Sequence, residues 1–126
     1  MILLTVNEAV EIYEKLIVAT GGSSGLRDMG LLESAVMGCY QSCKGIDVYP
    51  SAIEKAARMA FTICKNYPFI DGNKRVAVTS MFVILRMYDV YLQYAQLELI
   101  VLGLGIADGS IVYDEIVVWI NSHAKN

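Results

Sequence analysis

Tyr67-Pro-Phe-Ile-Asp-Gly-Asn-Lys-Arg75 is followed directly by an apolar run from Val76 to Met87, and this junction determines how the helices are arranged. Pro68 cannot continue a helix that precedes it, so one helix is predicted to stop here. The next helix is predicted over about residues 72–88. Because that helix is apolar on nearly every face, it is expected to lie buried in the middle of the domain.

Helix start and stop signals fill the chain on both sides of this stretch. Thr5 and Ser51 each stand three residues before a glutamate, which is the pattern of a capping box. Further helices are predicted over about residues 29–41 behind Asp28, from Ser51 to Asn66, over 96–107, and behind Ser110. Strand-like residues before Pro50 predict a short extended flap near residues 45–50. The fold class predicted is a compact all-α bundle of about six helices.

Length, composition and charge limit the class of protein. The 126 residues suit one domain spanning 1–126. Hydrophobic residues make up 56%, and the ten glycines raise that share to about 64%, above the ~45–50% typical of soluble domains on that count. Such an excess indicates either a rich core or an apolar surface for a partner. A net charge of −3 disfavours direct binding of nucleic acid.

Compartment is predicted from what the sequence lacks. No apolar run approaches the roughly 20 residues of a membrane span. The apolar start, Met1 to Leu4, is without the basic residues that open a signal peptide. Three cysteines are an odd number without a C-x-x-C pair. A reduced cytoplasmic protein is therefore predicted.

The start of the central helix carries side chains suited to a phosphate. Free backbone N–H groups and the helix dipole attract anions at such a position. Gly72 permits close approach to the backbone, and Asn73 can donate to an oxyanion. Lys74 and Arg75 supply cations, and Asp71 could hold a Mg²⁺ carried by a nucleotide. The alternative from composition alone is an ordinary helix start, with Asp71 as its N-cap and both cations solvated.

The order of these residues resembles the motif of the Fic/Doc family, His-x-Phe-x-Asp/Asn-Ala/Gly-Asn-Lys/Gly-Arg. Every specified position except the histidine is matched, and the proline common after that histidine is present as Pro68. Phe69 is predicted to anchor the loop in the core. The flanking sequence also resembles Doc-type members at 25–28, 30–35, 47–50, 54–57 and 119–120.

The resemblance implies phosphoryl or nucleotidyl transfer from ATP. Fic proteins usually transfer AMP to a hydroxyl, whereas Doc toxins transfer the γ-phosphate to a threonine of elongation factor Tu and stop translation. Lys74 stands where Fic motifs carry a second glycine, and Val78 stands where they carry a second arginine. Both features are typical of Doc. By resemblance, Asp71 would orient the Mg²⁺–ATP complex, Gly72 and Asn73 would line the anion hole, and Lys74 and Arg75 would hold phosphates.

Tyr67 occupies the position of the family's catalytic histidine. A general base works best with a pKa near the operating pH, and a free tyrosine, with a pKa of about 10, is a poor base at neutral pH. Loss of a general base costs about 10²–10⁴-fold in rate, so the chain as written is predicted to be inactive or nearly so. An inactivating substitution is favoured over a natural pseudoenzyme, because the rest of the motif is intact. The single histidine, His123, is predicted to be a frayed surface residue.

Regulation is predicted to come from a second chain. Self-inhibited Fic proteins carry Ser/Thr-x-x-x-Glu, and no Ser or Thr here has a glutamate four positions later. The resemblance implies an antitoxin whose C-terminal segment folds as a helix on the toxin. Two alternatives stay open, namely protein AMPylation and a non-catalytic module that holds an antitoxin or a nucleotide. A DNA-binding helical domain is disfavoured by the acidic charge.

Overall fold

The computed structural model describes residues 4–22 and 25–125, which form six α-helices and one small β-hairpin. The all-α fold class is thereby confirmed. The helices are α1 (Val6–Thr20), α2 (Met29–Gly38), α3 (Ala52–Asn66), α4 (Asn73–Met87), α5 (Gln96–Asp108) and α6 (Tyr113–His123), and the hairpin pairs β1 (Ser42–Cys43) with β2 (Ile46–Asp47). The glycine-rich sequence of residues 21–25 predicts a connector after the first helix, and only its three glycines are described, since residues 23 and 24 lie outside the described ranges.

The predicted N-caps of the first three helices are confirmed. The Thr5 hydroxyl accepts the Glu8 N–H at 3.2 Å, and the Glu8 carboxylate accepts the Thr5 N–H at 3.0 Å, which completes the capping box. Asp28 accepts from the N–H of Leu31 at 3.0 Å. Ser51 begins α3 in the same way, with its hydroxyl accepting the N–H of residue 54 at 3.1 Å.

The extended flap lies earlier in the chain than predicted, and α2 is shorter. The helix ends at Gly38 instead of residue 41, because the chain turns there into the hairpin. The carbonyl of Gln41 accepts the Val48 N–H at 2.9 Å and so extends the β-pairing beyond the two short strands. Lys44 and Gly45 both have positive φ, 53° and 80°, as a type I′ hairpin turn requires.

The last helix begins at Tyr113 rather than directly behind Ser110. The Ser110 N–H donates to the Asp108 carboxylate at 2.8 Å, so this residue belongs to the closing turn of α5. Val112 precedes α6, and its N–H donates to the Glu115 carboxylate at 3.1 Å. The prediction failed because Ser110 is used in the turn that ends α5, whereas α6 begins after Val112, whose side chain cannot cap a helix.

The core lies between α3 and α4, with the other helices packed around this pair. The predicted burial of the helix over residues 72–88 is confirmed, since α4 buries one face completely at Val76, Ala77, Ser80, Met81, Ile84 and Leu85. Helix α3 shares the centre and buries Ala56, Ala57, Met59, Ala60 and Ile63. Small alanines at these positions allow two helices to approach closely, which places the loop that joins them at the edge of the core.

A buried lysine fixes the hairpin to α3. Lys55 is only 1% exposed, and its ammonium lies 3.2 Å from the Asp47 carboxylate and also donates to the carbonyl of Tyr49. Buried charges require such partners, because their desolvation is costly. The flap is therefore attached to the core by an ion pair.

The end of α6 is tied to the first turn of α5, and the prediction that His123 is frayed is wrong. The Nε2 atom of His123 lies 2.8 Å from the Glu98 carboxylate, and its Nδ1 lies 2.7 Å from the Trp119 carbonyl. Because both neighbours are acceptors, the ring is best satisfied as an imidazolium, and the hydrogen bond to Glu98 raises the pKa of His123. Among the described residues, no helix is long and apolar enough to cross a membrane.

Candidate active site

The sequence motif forms the turn between α3 and α4, and its two ends need left-handed backbone. Tyr67 ends α3 at φ 50° and ψ 54°, and its N–H donates to the Ile63 carbonyl at 3.2 Å. Gly72 is the N-cap of α4 at φ 83°, a value that glycine adopts without steric cost. The cap is therefore Gly72, and the alternative of Asp71 as N-cap is wrong.

Phe69 and Asn73 lock the turn from inside. Phe69 is 1% exposed, and its ring stacks on Tyr13 of α1 with 4.1 Å between centroids and 6° between planes. The Asn73 side chain accepts the Phe69 N–H at 3.0 Å and donates to the Phe69 carbonyl at 2.9 Å. Both functions of this amide are thus engaged with the loop backbone. Its side chain shapes the turn, which differs from the predicted donation to an oxyanion.

A second segment pairs with the turn from outside. The backbone N–H groups of Arg27 and Asp28 donate to the Pro68 carbonyl at 2.7 and 3.0 Å, and the Ile70 N–H donates to the Gly25 carbonyl at 3.0 Å. Gly25 has φ +142°, and a Cβ there would lie 2.6 Å from the Ile70 side chain. Glycine is favoured here by its positive φ, since the atom that a Cβ would meet is the end of a flexible side chain.

The first turn of α4 has no side-chain cap, and the first N–H groups of a helix have no partner within it. Asp71 accepts the Gly72 N–H at 2.7 Å and lies 3.7 Å from an Nη atom of Arg75. The Arg75 guanidinium also donates to the Thr20 hydroxyl and to the Gly21 carbonyl, the latter at 3.1 Å. The end of α1 thus sets the position of this cation. With five N–H donors, a guanidinium keeps some for a further acceptor.

These residues border one cavity of about 370 Å³, lined by Cys64, Tyr67, Ile70, Asp71, Gly72, Asn73, Lys74, Arg75 and Ala107. Every predicted chemical residue lines it, and the anchor Phe69 does not. Tyr67 is 54% exposed. The stem of Lys74 runs beside Gly103 of α5, where an added Cβ would lie 3.5 Å from it. Burial raises the pKa of the Cys64 thiol to about 11, so this thiol stays protonated at the cavity wall.

A second cavity shares its two cations with the first. It measures about 270 Å³ and lies between α1, α4 and α5. Its other lining residues are mostly apolar and include Leu16, Val78, Leu99 and Ile100. Val78, the residue in place of a second motif arginine, faces this groove.

The described residues contain no cluster of three or more histidine, cysteine, aspartate or glutamate side chains that could hold a metal by itself. A Mg²⁺ ion commonly binds through one or two carboxylates together with substrate phosphates. Asp71 is the single acidic residue that lines the larger cavity. A metal at this site would therefore be shared with a phosphate ligand.

Three residues that build the site could not be assigned to it from sequence. No site role was predicted for Tyr13 or Thr20, and Arg27 was noted only as part of a flanking match. Their contacts to the motif span 40 to 56 positions along the chain. Periodicity within one helix carries no information on such contacts.

The geometry defines a helical protein in which the turn between two central helices brings two cations and an uncapped helix start to one cavity. Residues 3–85 match the model of the Fic/DOC family, a span that includes the whole motif. The chain belongs to the Fic/DOC family, which confirms the resemblance read from residues 67–75. Toxin Doc of Mycolicibacterium smegmatis is 36% identical over 75 residues, which cover 60% of this chain and 58% of that protein.

Proposed function

We propose that this chain is a Doc-type toxin that transfers the γ-phosphate of ATP to a protein hydroxyl, with elongation factor Tu as the target by resemblance, and that Tyr67 leaves it inactive or nearly so. The observation that carries the proposal is the convergence of Tyr67 and residues 71–75 on one cavity at the uncapped start of α4. Members of the Fic/DOC family are transferases that use ATP in general, and a relative bears the name Toxin Doc. A toxin of this kind acts in the cytoplasm.

The cavity suits a nucleotide triphosphate in size and charge. Small-molecule sites commonly measure about 300–1,000 Å³, and this cavity measures about 370 Å³. Lys74 and Arg75 would hold phosphate oxygens, supported by the N–H groups of the helix start. Gly72 leaves the backbone open to an oxyanion. Asp71 would hold the Mg²⁺ that accompanies the nucleotide, and that ion would neutralise charge on the transferred group.

Tyr67 lies where a base would act, and its chemistry does not suit that role. It is the C-cap of α3 and lines the cavity, and a histidine at the same position is proposed to act from there as the base. A neutral phenol donates a hydrogen bond and takes up a proton poorly, so the acceptor hydroxyl would keep its proton. Since phosphoryl transfer depends mostly on positioning and charge, the other site residues would still bind and orient ATP.

An antitoxin helix is the partner proposed for the smaller, apolar cavity. The groove between α1, α4 and α5 ends at Lys74 and Arg75, so a segment bound there would also cover the phosphate-binding cations. An amphipathic helix would bury its apolar face against Leu16, Leu99 and Ile100. Inhibition from a second chain agrees with the absence of the self-inhibitory Ser/Thr-x-x-x-Glu pattern.

The test is label transfer from γ-labelled ATP, with Mg²⁺, to purified elongation factor Tu. The chain as written, Tyr67→His and Tyr67→Phe are compared side by side, with the phenylalanine variant as the control that lacks any ionisable group. Transfer by the histidine variant alone, about 10²–10⁴-fold above the other two, is the expected result.

Two other outcomes would refute parts of the proposal. Label that transfers from α-labelled ATP instead would show AMPylation and refute the kinase assignment. A histidine variant as inactive as Tyr67→Phe toward both labels, although ATP binds, would favour a non-catalytic binding module.

A further inference from the structure

The carbonyl groups at the end of α3 have an unusual donor. A helix that ends in a left-handed residue can be closed by two N–H groups, one from that residue and one from the next. Tyr67 supplies the first, to the Ile63 carbonyl. The next residue is Pro68, which has no N–H, so the second hydrogen bond cannot form.

The side chain of Arg27 holds the last carbonyls of this helix end, which neither of these N–H groups could reach. Its Nε donates to the Tyr67 carbonyl at 2.6 Å, and one Nη donates to the Asn66 carbonyl at 2.7 Å. Together with the two backbone bonds to the Pro68 carbonyl, three consecutive carbonyls of the turn are held by one short segment. A cation is also favoured at the C-terminus of a helix, where the dipole is negative.

The conformation that this fork holds is disfavoured on two counts. Left-handed backbone is sterically unfavourable for any residue with a Cβ. A residue before proline is moreover driven towards extended backbone. Without the fork, residue 67 is expected to relax towards the extended region, which would rotate its Cβ away from the cavity.

We propose that Arg27 is a positioning residue, which holds the backbone of residue 67 so that the side chain there points at the phosphate-binding cavity. The importance of this for catalysis rests on the proposed phosphotransfer function. The conformational claim stands on the hydrogen bonds alone and can be tested on the chain as written. A planar fork is required to reach two carbonyls together, so lysine would replace it only in part.

The first experiment measures backbone amide exchange by mass spectrometry in Arg27→Ala, Arg27→Lys and the control Arg86→Ala. Arg86 is another exposed arginine, near the end of α4, and its guanidinium lies over the Tyr91 ring instead of the turn. Exchange over residues 66–73 is expected to rise most in Arg27→Ala, less in Arg27→Lys and not in the control. Unchanged protection of this segment in Arg27→Ala would overturn the proposal.

A coupled variant tests the argument from left-handed backbone. Tyr67→Gly removes the steric cost of that backbone at this position. Loss of Arg27 should therefore accelerate exchange less in a Tyr67→Gly background than in the parent. An equal acceleration in both backgrounds would show that Arg27 does not hold residue 67 in this conformation.

The catalytic consequence is measured in a Tyr67→His background. Arg27→Ala should lower kcat by about 10-fold or more and leave KM for ATP within about twofold, because misplacement of a reacting group affects the transition state more than binding. Added guanidinium ion should restore part of the lost kcat. An unchanged kcat would refute the positioning role. If Tyr67→His is itself inactive while the exchange pattern is as expected, the phosphotransfer proposal fails and the backbone role of Arg27 stands.

Discussion

Asn73→Ala is expected to destabilise the fold, even though this residue belongs to a motif associated with ligand binding. Its side chain makes two hydrogen bonds, to the N–H and the carbonyl of Phe69, and it is 8% exposed. Alanine removes both bonds and leaves two buried backbone groups without these partners. If the amide served only a ligand, its removal would have little effect on the free energy of unfolding.

The size of the effect follows from these two groups. A buried donor or acceptor left without a partner costs about 1–3 kcal/mol, so two cost about 2–6 kcal/mol. Some water can reach the turn, and alanine favours a helix start by a few tenths of a kcal/mol. The expected loss is therefore about 2–4 kcal/mol, which a domain with about 5–15 kcal/mol of stability can survive.

The sign of the stability change in Asn73→Asp distinguishes a structural role of this amide from a role in ligand binding alone. An acidic residue in the first turn of a helix normally stabilises by about 0.3–1 kcal/mol. Here a carboxylate oxygen would replace the nitrogen that lies 2.9 Å from the Phe69 carbonyl, so two acceptors would face each other. This variant is expected to be less stable than the parent.

Urea unfolding without nucleotide, followed by circular dichroism, measures both variants. Asn121→Ala is the matched control, because that amide makes one exposed bond within its own helix. It should change stability by less than about 0.5 kcal/mol. A loss below about 0.5 kcal/mol for Asn73→Ala, or a gain for Asn73→Asp, would refute the role assigned to this amide.

Three further predictions concern charges and thiols away from the turn. Glu98 raises the pKa of His123, so the stabilisation by their ion pair is complete below pH 6.5 and lost as pH rises through the raised pKa. The difference in free energy of unfolding between the parent and His123→Gln should therefore narrow from pH 6 to pH 9, and a constant difference would contradict this. Asp47→Ala should destabilise the fold by about 2–3 kcal/mol more than Lys55→Met does. The first variant leaves the buried Lys55 ammonium without its carboxylate, whereas the half-exposed Asp47 carboxylate left by the second can be solvated. The reverse order in urea unfolding would be inconsistent with the ion pair described. A disulfide reagent should modify only Cys43 quickly, because burial raises the pKa of the other two thiols to about 11, and rapid loss of more than one thiol would argue against their burial.

The helices could be predicted because their signals are local. Thr5, Asp28 and Ser51 cap their helices through residues three positions away, and Pro68 acts on its neighbours. The hairpin was predicted too late in the chain, because its register depends on the hydrogen bond between Gln41 and Val48 and on the contact of Lys55 with Asp47. Neither contact produces a periodic pattern of residues in the sequence.

The sequence predicted which chemical residues line the cavity, but it did not predict the contacts that hold them in place. The motif order identified which residues line the cavity, since chemistry requires those residue types close together. It did not reveal that Asn73 is turned inward or that Arg27 holds the turn. Both depend on which carbonyls lack donors, and that follows only from the folded backbone.

The side chain at position 67 makes no hydrogen bond within residues 4–22 and 25–125, although its backbone is held at both ends. The fold therefore does not depend on a hydrogen bond from the ring at this position. Histidine and tyrosine codons differ in the first base alone, so under the proposed function one nucleotide would separate an active enzyme from an inactive one with the same framework. A gene of this kind could lose its activity and later regain it by a single reversion, because the framework would not have to change.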